Sequence, residues 1–98
     1  MKKIILDCAA VETDDDFWSL YCKAVQPDGS NIFGRNLEAL WDAVSAGGPG
    51  WPGPCQIELM NVDEFAKRNP RLYAGLQRIA KDLPESSCVH IVLTKSLM

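Results

Sequence analysis

Histidine is almost missing from this sequence: one residue, His90, stands among 98. It sits in the middle of the apolar run Cys88-Val89-His90-Ile91-Val92-Leu93, where a packed, hydrogen-bonded histidine is expected rather than a proton shuttle. The motifs that usually carry enzyme chemistry are lacking too. There is no H-E-x-x-H, no G-x-S-x-G elbow and no glycine-rich phosphate fingerprint. The four cysteines, at positions 8, 22, 55 and 88, form no C-x-x-C pair. Zinc and dithiol redox sites use that spacing, so reduced cysteines acting as small buried apolar residues are expected, with no cofactor and no metal. Long hydrophobic runs are absent as well. Ile4 to Leu6 is cut short by Asp7, and no stretch nears the 18 or so apolar residues of a membrane span. A soluble, cytoplasmic chain is the expectation.

What is present points to one folded domain over residues 1–98. Apolar residues make up 47% and charged residues 23%, which suits a globular core and excludes a disordered chain. Positive charge is scarce in the first half. Between Asp7 and Asp42 there are eight acids and only two bases, a local balance of −6. Such a field repels nucleic acid and favours a basic protein partner, although a merely solvated acidic face has the same composition.

The pattern alternates strands and helices. Lys3 to Leu6 reads as a first strand. Thr13 then caps a helix whose opening aspartates, Asp14 to Asp16, suit the positive helix end. That helix runs to about Val25 with Phe17, Leu20, Tyr21 and Ala24 on its buried face. Asn36 caps the next helix, where Leu37, Leu40, Trp41 and Val44 form a core stripe. Gly47 to Pro54 is a loop, with Trp51 either packed on the domain edge or offered to a partner. Cys55 to Met60 is a second strand. Asn61-Val62-Asp63-Glu64 repeats the capping logic before a short helix to about Lys67, and Pro70 opens a fourth helix buried through Leu72, Leu76, Ile79, Ala80 and Leu83. Cys88 to Thr94 is a last strand that reads as buried on both faces. The order β-αα-β-αα-β predicts an α/β fold, a three-stranded parallel sheet packed with about four helices. Such sheets usually have both faces covered, although so few strands and such short helices can leave one face partly open.

The second helix carries the functional signal. Glu38 and Asp42 lie four residues apart on a face other than the core stripe, with Ala39 and Ala43 beside them and Trp41 at the seam. On an exposed face both carboxylates stay ionised, which suits binding a cationic cleft better than transferring protons. Gly34 and the two alanines would let another surface come close, and a tryptophan is a favoured interface anchor. A carboxylate in a phosphate-binding cleft can accept the bonds a phosphate oxygen would.

The stretch Phe33-Gly34-Arg35-Asn36-Leu37-Glu38-Ala39-Leu40-Trp41-Asp42-Ala43 resembles the signature segment of the barstar family, intracellular inhibitors of secreted ribonucleases. That segment has the form aromatic-Gly-x-Asn-Leu-acid-Ala-Leu-Trp-Asp-Ala. The resemblance implies a barstar-like fold and a monomeric inhibitor or immunity protein, without enzymatic activity, bound to a basic ribonuclease or toxin domain. It implies that Asp42 is the central acid in the ribonuclease cleft and Glu38 a second acid. Ile32, Phe33, Gly34, Asn36, Leu37, Trp41 and, from the Gly/Pro loop, Trp51 complete the expected partner-binding set. The chain departs from the family pattern at four places. Glu38 replaces an aspartate, Ile32 replaces a tyrosine, Lys81 aligns with a glutamate, and the loop from Gly47 to Pro54 is longer. An interaction module that binds some other basic protein is the alternative reading.

Overall fold

A computed structural model describes residues 2–25 and 33–95 of the chain. The elements run β1 (Lys2–Asp7), a 3-10 turn (Cys8–Ala10), α1 (Asp14–Val25), α2 (Leu37–Ala46), β2 (Cys55–Met60), α3 (Val62–Arg68), α4 (Pro70–Asp82) and β3 (Val89–Thr94). The strands form one parallel sheet in the order β1-β2-β3. Leu6 pairs with Leu59, and Leu59 with Leu93. Parallel neighbours need long crossovers, and each pair of helices supplies one. The predicted architecture, a three-stranded parallel sheet with four helices, is the observed one.

The sheet is covered on one face. Ile4, Leu6, Ile57, Leu59, Val89 and Ile91 are buried. Phe17 and Tyr21 of α1, Leu40 of α2 and Leu76 of α4 converge on that face. The other face stays open, with Ile5 54% and Val92 41% exposed. The expectation that β3 is buried on both sides is therefore wrong. An apolar run reports side-chain character, not how many layers the fold can supply. Lys3 bridges to Glu58 at 3.0 Å across the open face, and the Thr94 hydroxyl donates to the same carboxylate at 3.4 Å.

Local chemistry sets the helix ends. The Thr13 hydroxyl accepts the Asp16 amide, and the Asp16 carboxylate accepts the Glu12 and Thr13 amides, all at 3.1 Å. These amide bonds hold the Asp16 carboxyl below the usual carboxylate range. The buried stripe of α1 is Phe17, Trp18, Tyr21 and Val25. Ala24 is exposed and Leu20 half-buried, so the stripe is turned from the expected one toward the larger Trp18 ring. Asn61 does not cap α3. It adopts a left-handed backbone with φ 56°, and its amide nitrogen donates to Asp7 Oδ1 at 2.8 Å. That bond ties the ends of β1 and β2 together. With the Ala9 amide as second donor, it lowers the Asp7 pKa.

All four cysteines are free thiols. Cys8 and Cys55 are buried, Cys22 is intermediate, and Cys88 is exposed, contrary to the expectation of four buried cysteines. Burial pushes the Cys8 thiol up to about 12, so it stays protonated and inert.

Candidate functional site

Three residues hold α2 in place before its acids matter. Asn36 is extended, and its side-chain oxygen accepts the Ala39 amide at 2.8 Å. Its amide nitrogen donates back to the Gly34 carbonyl at 3.2 Å, so one side chain caps the helix and braces the loop before it. The Phe33 ring is 5% exposed and packs against Trp18 and Tyr21, with centroids 5.9 and 5.5 Å away. Leu37, half-buried, fills the space left by Gly75 of α4; a Cβ there would lie 2.3 Å from Leu37 Cδ1.

The far end of α2 runs into the Gly/Pro loop, which folds back onto the same ring. Gly50 has φ 97°, and a Cβ on it would lie 2.6 Å from Phe33 Cδ1. The Tyr21 hydroxyl donates to the Gly50 carbonyl at 2.9 Å. Trp51 is half-buried and packs against the core cluster, the edge-packing arrangement of the two foreseen. The Gly47 and Gly48 amides return to the Ala43 and Asp42 carbonyls at 3.1 and 3.2 Å, closing the helix.

Between these anchors the outer face of α2 is exposed. Glu38, Trp41 and Asp42 all face solvent, Trp41 at 39%. Among the described residues no hydrogen bond or ion pair engages the Glu38 or Asp42 carboxylate. A Cβ on Gly48 would lie 3.3 Å from Asp42 Oδ2, so that glycine leaves the carboxylate uncrowded. Glu38 sits in the first turn, near the positive end of the helix.

The residues of the expected partner-binding set differ in exposure. Glu38, Trp41, Asp42, Gly34 and Asn36 are exposed, whereas the Phe33 ring points inward and Leu37 is wedged onto α4. Ile32 lies outside the described residues. Trp41 does not belong to the core stripe, which is Leu40, Ala43 and Val44. Ala43 is fully buried and cannot widen the outer face. Gly34 has an internal reason for lacking a side chain: a Cβ there would lie 3.0 Å from Ala39 Cβ. The periodicity missed Arg35, whose guanidinium reaches α1. Its signal was its charge, one of two bases among eight acids. Lys81 is exposed on α4. Among the described residues no cluster of His, Cys, Asp or Glu has metal-site geometry, and no helix is long and apolar enough to cross a membrane.

The fold is thus a one-sided parallel α/β sheet, and the Glu38 and Asp42 carboxylates on the outer face of α2 are exposed. The chain belongs to the Barstar family: the sequence pattern described as Barstar (barnase inhibitor) matches residues 1–91. No curated protein matches the chain. The family is one of inhibitor proteins rather than enzymes.

Proposed function

We propose that this protein inhibits a barnase-type ribonuclease by placing the outer face of α2 in the enzyme's basic, phosphate-binding cleft. The observation that carries the reading is the pair of exposed carboxylates, Glu38 and Asp42, without an internal partner among the described residues. Like charges one helical turn apart repel, and of the two only Glu38 lies at the positive helix end that would offset its charge. A cationic cleft supplies the counter-charge, and its arginines donate to carboxylates as they would to phosphate oxygens. Trp41 adds a rigid apolar surface beside the acids. Asn36 and Gly34 bring the loop backbone to the same side, while Phe33 and Leu37 serve from beneath by fixing its height. Trp51 supports the loop edge through its packing.

The test is inhibition of purified barnase and related ribonucleases by wild type and by Asp42→Ala. Asp42 is exposed, so the variant keeps its fold. We expect its inhibition constant to rise by roughly two to three orders of magnitude, the scale of leaving a buried cation without its partner. Equal inhibition by the two proteins sinks the placement of the site. A second reading, binding to a basic protein that is not a ribonuclease, is favoured by the exposed Lys81 on α4. A panel in which no ribonuclease is inhibited by wild type selects that reading.

A further inference from the structure

The base nearest the acidic edge in sequence is fastened elsewhere. Arg35 lies three residues before Glu38, yet its ion pair is with Asp15 of α1, Nη2 to Oδ1, at 3.1 Å. The same nitrogen donates to the Ser19 hydroxyl at 2.7 Å and to the Asp15 carbonyl at 3.3 Å. Asp15 and Ser19 are one turn apart on α1, so the guanidinium grips a continuous ledge of that helix. Arg35 also has φ 52°, the left-handed region that residues with a Cβ rarely adopt. A backbone held there needs surrounding contacts to over-determine it.

We propose that Arg35 is the positioning residue of the acidic edge, strapping the loop between Phe33 and Asn36 to α1 and withholding its own positive charge from Glu38 and Asp42. The inference rests on the reading of α2 as the ribonuclease-binding surface. Two effects follow. The loop is ordered before a partner arrives, so less ordering entropy is lost on binding. The guanidinium offsets Asp15 on α1 instead of neutralising the edge that must attract a cationic cleft. A flexible lysine offers one ammonium in place of the planar fork and fastens the loop less well.

The two effects can be separated because they act on different rates. Ser19→Ala removes one strap contact and no charge. With a ribonuclease that wild type inhibits, it should leave the association rate within about twofold and raise the dissociation rate roughly three- to tenfold, the scale of freeing one or two side chains. Ser19→Thr, which keeps the hydroxyl, should restore the wild-type rate. Arg35→Ala should raise dissociation in the same way but also speed association at low salt, since it makes the whole protein one charge more negative toward a basic partner. The double variant should dissociate no faster than Arg35→Ala alone.

A second measurement needs no partner. The Ala39 and Leu40 amides both bond to Asn36. Their hydrogen exchange should quicken in Ser19→Ala and in Arg35→Ala, while the sheet amides and Tm stay as in wild type. Unchanged exchange at Ala39 and Leu40, or additive effects of the two variants on dissociation, overturns the strap. Failure of the inhibition reading looks different: wild type inhibits no ribonuclease, and exchange in the free protein still decides the strap.

Discussion

At the scale of single residues, the positions that hold the site are distinct from those proposed to contact a partner. Gly75 is the clearest case. It lies inside α4, where alanine would ordinarily gain about 1 kcal/mol in helix propensity. A Cβ there meets Leu37 at 2.3 Å, however, and Leu37 is the first residue of α2. The clash should outweigh the propensity, because overpacking costs about 1–3 kcal/mol. We therefore expect Gly75→Ala to lower stability by roughly 1 kcal/mol in urea unfolding. Placed in a Leu37→Ala background, the same change should become stabilising by a similar amount. If its sign does not change there, Leu37 is not what Gly75 accommodates. The role of Gly75 was invisible in the sequence, because a glycine in a helical pattern does not say which side chain from another element enters the gap.

At the scale of elements, helix starts were legible where the signal is local. Thr13, Asn36 and Pro70 stand where expected, since each acts on amides or a φ angle within its own first turn. Asn61 failed as a cap because its partner is Asp7, 54 positions away, and a competing bond of that kind leaves no local trace. The stripe of α2 was misread for a related reason. Positions 40, 41, 43 and 44 are all apolar, and periodicity alone cannot tell which of Trp41 and Ala43 faces inward. The fold placed the smaller one against the core and the larger one outside. Asn36 now offers an element-level prediction. Asn36→Ala should cost about 1 kcal/mol in stability through the lost cap. Asn36→Asp keeps the acceptor for the Ala39 amide but loses the donor to the Gly34 carbonyl. It should retain most of the stability and weaken inhibition, as measured by unfolding and inhibition assays side by side. Equal losses of stability for both variants would show that the cap bond is not what Asn36 contributes.

At the scale of the whole molecule, two carboxyl groups tie stability to acid. Asp7 is lowered first by the Asn61 side chain and then by the Ala9 amide, and Asp16 by the amides of Thr13 and Glu12. A folded-state pKa below the unfolded value means that the ionised form is the stabilising one. The contribution is complete above the ordinary aspartate value, 3.8, and is lost as pH falls through the lowered folded values. Urea midpoints should therefore fall below about pH 4. In Asp7→Asn and Asp16→Asn that fall should be shallower. A wild-type midpoint that does not move between neutral pH and acid would remove these two groups from the stability of the fold. The parallel order of the sheet and the acidic bias of the first half were both readable from sequence, because each is a property of pattern or composition. The open face of the sheet was readable only in part: three strands with four short helices allow it, but the apolar run of β3 argued for burial on both sides.

The inward turn of Phe33 has a consequence for how such a protein could be retargeted. Glu38, Trp41 and Asp42 are exposed, so on the proposed reading of α2 they can be exchanged to suit a different partner while the scaffold stands. Phe33 cannot vary on those terms. Its ring is shared by Trp18, Tyr21 and Gly50, and losing it would cost about 3 kcal/mol or more. If α2 is the binding surface proposed above, altered specificity belongs on its outward turn, with the aromatic floor under it left unaltered.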